Sequence, residues 1–122
     1  MSLAPPIKVY SYSRCSTCRK ALTWLDANNL PYEVVDITVT PPSKEELSQA
    51  FARLARRQLL FNTSGQSYRA LGAEVVKAMN DDDALTALAA DGRLIKRPFV
   101  ALPSGDFLVG FKSEDWNQAL LG

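Results

Sequence analysis

Histidine is absent from this chain of 122 residues, and cysteine occurs only twice, at Cys15 and Cys18. Structural zinc takes four Cys or His ligands, usually as paired hooks. Two thiols without an imidazole therefore exclude such a site within one chain, and only a site shared between two copies would have enough ligands. An excess of charge of one sign is missing too. Fourteen Lys and Arg against thirteen Asp and Glu leave +1 at neutral pH, so no bulk field draws the chain to nucleic acid or to a membrane surface. No apolar run approaches the roughly 20 residues that cross a bilayer. The opening "MSLAPPIKVYSY" lacks the basic start and long apolar core of a secretory signal. No nucleotide-binding loop or flavin fingerprint is present, so no bound cofactor is expected. Together these absences point to a cytoplasmic protein with no direct nucleic-acid or membrane partner. Cytoplasmic thiols stay reduced unless they are catalytic, sensing or metal-bound, which makes the two cysteines the feature to explain.

What is present is ordinary globular composition, 47% hydrophobic and 22% charged, without repeats or low-complexity segments. "IKVYSY" (Ile7–Tyr12) is rich in β-branched and aromatic residues and reads as a strand. The segment "CSTCRKALTWLDANN" that follows carries Ala21, Leu22 and Leu25 at helical spacing, and Asn28, Asn29 and Pro31 stop it. "YEVVDI" (Tyr32–Ile37) is a second strand, so the first third predicts a parallel βαβ unit. Ser43 and Glu46 form a capping box for a helix that keeps Leu47, Ala50, Phe51 and Leu54 on one face. "FNTSGQSY" has loop composition. Two further helices are expected at about Ala73–Met79 and about Asp83–Asp91, the latter with Gly92 as its terminal cap. "PFVAL" (Pro98–Leu102), the turn "PSGD" and "FLVGF" (Phe107–Phe111) predict a hairpin, and Ser113 is expected to cap the last helix. The order β-α-β, helices, β-β-α predicts an α/β thioredoxin-like fold with a mixed four-stranded sheet. It forms a single domain over 1–122, with an all-helical insert at about 41–92 between strands 2 and 3.

Two cysteines three residues apart can be mere packing, since free cysteine is among the most buried residue types. Their context favours redox chemistry. Placing the first cysteine where a strand turns into a helix sets its sulfur against unpaired N–H groups and the positive end of the helix dipole, an arrangement that lowers a thiol pKa from about 8.5 toward roughly 7 or below. Arg14, Arg19 and Lys20 add positive charge nearby. Cys18 lies one turn along the same face, within reach of a disulfide. C-x-x-C beside a βαβ pattern thus predicts Cys15 as nucleophile and Cys18 as the thiol that resolves the covalent intermediate.

The stretches "CSTCRKALTWLDANNLPYEVVDI", "FNTSGQSYRALG", "ADGRLIKRPFV" and "LVGFKSEDW" occur in this order. Together they resemble the arsenate reductase (ArsC)/Spx family from about Ile7 to Leu121. The resemblance implies a thioredoxin-like fold with a helical insert and assigns the nucleophile to Cys15. It matches Arg69 and Arg97 to arginines that bind an oxyanion, whose planar fork of donors suits arsenate or a carboxylate. It also matches Pro98 to a proline facing the cysteine, expected to follow a cis bond and to leave the Arg97 backbone open to an extended substrate. The chain departs from glutathione-linked arsenate reductases by having Cys18, and it offers Lys112 near the place of a third arginine. Both departures favour thiol–disulfide chemistry through an internal disulfide. The implied function is a cytoplasmic thiol-dependent oxidoreductase acting on a small thiol or oxyanion substrate or on a protein disulfide, with glutathione or thioredoxin as external reductant. The alternative is an Spx-type redox-sensing regulator whose partner is RNA polymerase.

Overall fold

The computed structural model describes residues 6–54 and 57–121. They form two compact units: Asp36–Lys96, and the described residues on either side of that segment.

The first unit, the residues flanking that segment, is built on a mixed four-stranded sheet of order β2-β1-β3-β4, with β1 at Ile7–Ser11, β2 at Tyr32–Asp36, β3 at Phe99–Ala101 and β4 at Phe107–Val109. Each strand is shorter than its sequence pattern suggests, but all four fall where β-branched and aromatic residues concentrate. β1 pairs antiparallel with β3 (Val9 opposite Val100, Tyr10 opposite Phe99), and β3 pairs antiparallel with β4 in a hairpin. The period-2 alternation sends Ile7 and Val9 of β1 to one face. There they join Val100 and Leu102, Ala21 and Leu25 of α1 (Ser16–Ala27), and Trp116 of α6 (Ser113–Leu120) in a buried cluster. Burying a side chain of the size of Leu25 contributes about 1.5–3 kcal/mol, so this face anchors α1 to the strand that precedes it. Trp116 donates its indole N–H to the Gly110 carbonyl at 3.2 Å, which satisfies its one polar atom in the core. Ser113 is the first residue of α6 and not its cap; Lys112 occupies the cap position and supplies no side-chain hydrogen bond.

The second unit carries α2 (Lys44–Arg53), α3 (Gln66–Leu71), α4 (Ala73–Ala78) and α5 (Asp81–Ala90), with single 3-10 turns at Arg57–Leu60 and Gly92–Leu94. Ser43 caps α2 by accepting the Glu46 N–H at 3.1 Å, and Asn80 caps α5 by accepting the Asp83 N–H at 2.7 Å. α5 therefore begins at Asp81, two residues before the expected start at Asp83. Helix α3 corrects the expectation of a loop. Asn62, Thr63, Ser64 and Gly65 do form a turn, but Gly65 then opens a six-residue helix through Gln66, Ser67 and Tyr68. A helix of that length has no room for an amphipathic repeat, so its signal is lost among turn residues. Gly92 is not the left-handed cap expected of it. A Cβ there would overlap the backbone carbonyl of Ile37, so close backbone approach, not a positive φ, requires glycine. The single bridge Phe61–Ile95, flanked by Asn62 N–H to Leu94 O at 2.8 Å and Lys96 N–H to Leu60 O at 2.7 Å, ties the two 3-10 turns together. No helix among the described residues is long and apolar enough to cross a membrane.

Candidate active site

β1 ends at the buried Ser11, and the chain makes one turn before α1, with the Cys15 N–H donating to the Tyr12 carbonyl at 3.0 Å. Cys15 is extended, with φ −93° and ψ 112°, as an N-cap residue must be. Its Sγ accepts the N–H of Cys18 at 3.3 Å, so one of the unpaired amides of the first helical turn points at sulfur. No acidic residue lies in that first turn. Arg19 donates to the Ser13 carbonyl at 2.8 Å and braces the turn from the helix side.

The two thiols occupy different environments. Cys15 is half-buried, whereas Cys18 is fully buried. Burial, followed by the hydrogen bond with the Cys15 side chain, pushes the Cys18 thiol up to about 11 despite opposing bonds with the Tyr12 backbone and the Ser11 side chain. Cys18 is therefore a protonated thiol at neutral pH. No disulfide joins the two in this structure. Among the described residues no group of three or more His, Cys, Asp or Glu could hold a metal ion.

The sheet register brings the hairpin to this turn. Tyr10 lies opposite Phe99 in an antiparallel pair, so the residues before Phe99 run alongside those after Tyr10. The Arg97–Pro98 bond is cis, and Pro98 is buried with its carbonyl accepting the Gly110 N–H at 2.9 Å. Arg97 is half-buried, and its guanidinium sits over the Tyr12 ring at 5.2 Å. Cys15, Cys18, Arg97 and Pro98 thus converge on one end of the first unit through β1, α1 and β3. Lys112 follows Gly110 into α6 and is exposed. Arg69 belongs to the helical unit, exposed in the last turn of α3. Two residues at the turn escape the sequence reading: Ser11, whose side chain opposes the rise in the Cys18 pKa, and Tyr12, through both its carbonyl and its ring. Both look like ordinary strand residues, and only their place immediately before the cysteines hints at more.

A family model for the ArsC family matches residues 10–119. The chain belongs to the ArsC family. Among curated relatives of this ArsC chain, the uncharacterized protein YusI of Bacillus subtilis is 39% identical over 89% of this chain and 93% of its own length. An arsenate reductase of Neisseria meningitidis is 33% identical over 95% of this chain and 99% of its own. The global transcriptional regulator Spx of Lactococcus lactis is also related, at 22% identity over 89% of this chain and 82% of its own. Among solved structures, a possible arsenate reductase from Streptococcus mutans superposes with a TM-score of 0.83 at 36% identity, covering 91% of this chain and 97% of that one. The thioredoxin-like fold of this ArsC family member is thereby established.

Proposed function

We propose that this protein is a cytoplasmic thiol-dependent oxidoreductase of the arsenate reductase type in which Cys15 attacks and Cys18 resolves. The observation that carries this is the asymmetry of the pair: a half-exposed sulfur receiving a helix-terminal N–H, backed by a buried, protonated thiol one turn away. With a disulfide substrate, the Cys15 thiolate forms a new S–S bond with one substrate sulfur and expels the other as a thiolate. Cys18 then loses its proton and attacks Cys15 Sγ, breaking the mixed disulfide and releasing the second substrate thiolate. The substrate is reduced by two electrons, and the Cys15–Cys18 pair is oxidised by two. Glutathione or the dithiol of thioredoxin returns those electrons from outside. With an oxyanion substrate the Cys15 thiolate bonds the central atom and a protonated oxygen leaves as water. Attack of Cys18 on Cys15 Sγ then breaks that bond, leaving its electron pair on the central atom, which is reduced by two electrons as the disulfide forms.

Arg97 is assigned to the negative charge of the substrate, its planar fork suited to a carboxylate or oxyanion. Arg69 and Lys112 are proposed as further binding groups, and Pro98 as the residue that shapes the backbone facing Cys15. Reduced protein supplied with arsenate or a small disulfide, together with glutathione or thioredoxin and their reductases, should consume NADPH. Iodoacetamide at neutral pH should label Cys15 before Cys18. Faster labelling of Cys18 would reverse the assignment.

Kinship with the Spx regulator supports a second role, in which the same thiol pair switches binding to RNA polymerase. Failure of the coupled assay with every substrate, together with oxidation-dependent capture of polymerase subunits, would favour the switch over the enzyme.

A further inference from the structure

Tyr12 joins the two halves of the candidate site. Its carbonyl accepts the Cys15 N–H at 3.0 Å, so its main chain is part of the cysteine turn. Its ring lies beneath the Arg97 guanidinium at 5.2 Å, within the range of a cation–π contact. The strand register favours this meeting: continuing the direction of the antiparallel pair Tyr10–Phe99 two residues past its end brings Tyr12 toward Arg97. An arginine side chain on a surface samples many rotamers, and an aromatic face restricts that sampling. Contact through the ring face also leaves guanidinium N–H donors for an anion. The first turn of α1 contributes no acidic side chain to compete for that charge.

Resting on the thiol chemistry above, we propose that Tyr12 is the positioning residue that holds Arg97 beside the cysteine turn and so gives Cys15 a preference for anionic over neutral reaction partners. The substrate class is then a disulfide or electrophile carrying a carboxylate or oxyanion close to the atom attacked. Tyr12 touches no reacting atom in this scheme. It acts through Arg97, and the ring, not the hydroxyl, is the working part.

Iodoacetate and iodoacetamide share a leaving group and differ by one negative charge, so the ratio of their rates at Cys15 measures the field an anion meets. Tyr12→Leu should lower that ratio about two- to fivefold, the factor to which an exposed cation–π contact corresponds. Tyr12→Phe should preserve it. In an Arg97→Gln background, where the cation is gone, Tyr12→Leu should have no further effect on the ratio. A general structural role for Tyr12 would instead alter both rates together and would act equally in either background. An unchanged ratio in folded Tyr12→Leu, or an equal fall with and without Arg97, overturns the proposal while leaving Cys15 as the nucleophile. Tyr12→Gln provides the same comparison if Tyr12→Leu does not fold. Wild-type protein whose Cys15 reacts with neither reagent would sink the thiol chemistry and this proposal together.

Discussion

Among the described residues, three helices start with the same hydrogen bond, in which a cap side chain accepts the N–H three residues on, yet the two units make it with different atoms. In the helical unit Ser43 and Asn80 use oxygen, at 3.1 and 2.7 Å, and the first turns that follow hold Glu45 and Glu46, and Asp81, Asp82 and Asp83. In the sheet unit Cys15 uses sulfur, at 3.3 Å, and the first turn of α1 holds no acid. Sulfur is a weak acceptor, and the helix forgoes the support that carboxylates give near its positive end. The caps of α2 and α5 come with acids that favour a helix start, and α1 does without them. That absence suits the proposed role of Cys15, because a neighbouring carboxylate would oppose a sulfur anion.

The largest test of that contrast is Cys15→Ser. Serine is among the best N-cap residues, so the variant should match or slightly exceed the wild type in thermal stability while losing activity about a thousandfold or more, the scale on which removing a nucleophile acts. A large drop in melting temperature would mean that Cys15 is a packing residue and that the contrast with Ser43 and Asn80 is false.

A second test uses the other thiol. The folded-state pKa of Cys18 lies at about 11, above the ordinary value of 9.0. Between these values the unfolded chain has released a proton that the folded chain retains, so stability falls as pH rises. The contribution is fully present below about pH 9 and is lost as pH climbs through 11. Its size is about 2–3 kcal/mol for two pKa units. Denaturant titrations from pH 8 to pH 11 should show a steeper decline for wild type than for Cys18→Ala. Parallel curves would remove the buried, protonated thiol from the scheme.

The smallest effect comes from giving α1 the charge pattern of its counterparts. Ser16→Glu places an acid at the exposed first position of the helix. It should slow iodoacetamide labelling of Cys15 about two- to fivefold, the factor to which a first-turn charge interaction of 0.3–1 kcal/mol corresponds. An unchanged rate would show that the missing acids have no bearing on the sulfur.

Much of this architecture is legible along the chain because its signals are local. Concentrations of β-branched and aromatic residues locate all four strands, the pair Ser43 and Glu46 locates the start of α2, and the cysteines fall at a strand-to-helix turn because the strand pattern of Ile7–Ser11 gives way to helical spacing from Ala21 to Leu25. Helix α3 was hidden by its turn-forming lead-in and its brevity. Gly92 was legible as a necessary glycine but for the wrong reason, since nothing local reveals that the Ile37 carbonyl lies against it. Ser113 has the chemistry of a cap, yet the chain begins its helix there and leaves the cap position to Lys112.

The amino-acid sequence by itself determined the order of elements and the placement of Cys15 and Cys18 at a helix start, because periodicity, capping and turn chemistry act between residues a few positions apart. Only the tertiary structure decided that Cys18 is buried while Cys15 is not, that Arg97 stands over Tyr12, and that Pro98 joins them at the same end of the sheet. Those facts depend on which strands pair and in what register. Register is settled by burying whole faces of the sheet at once, not by any short stretch of chain.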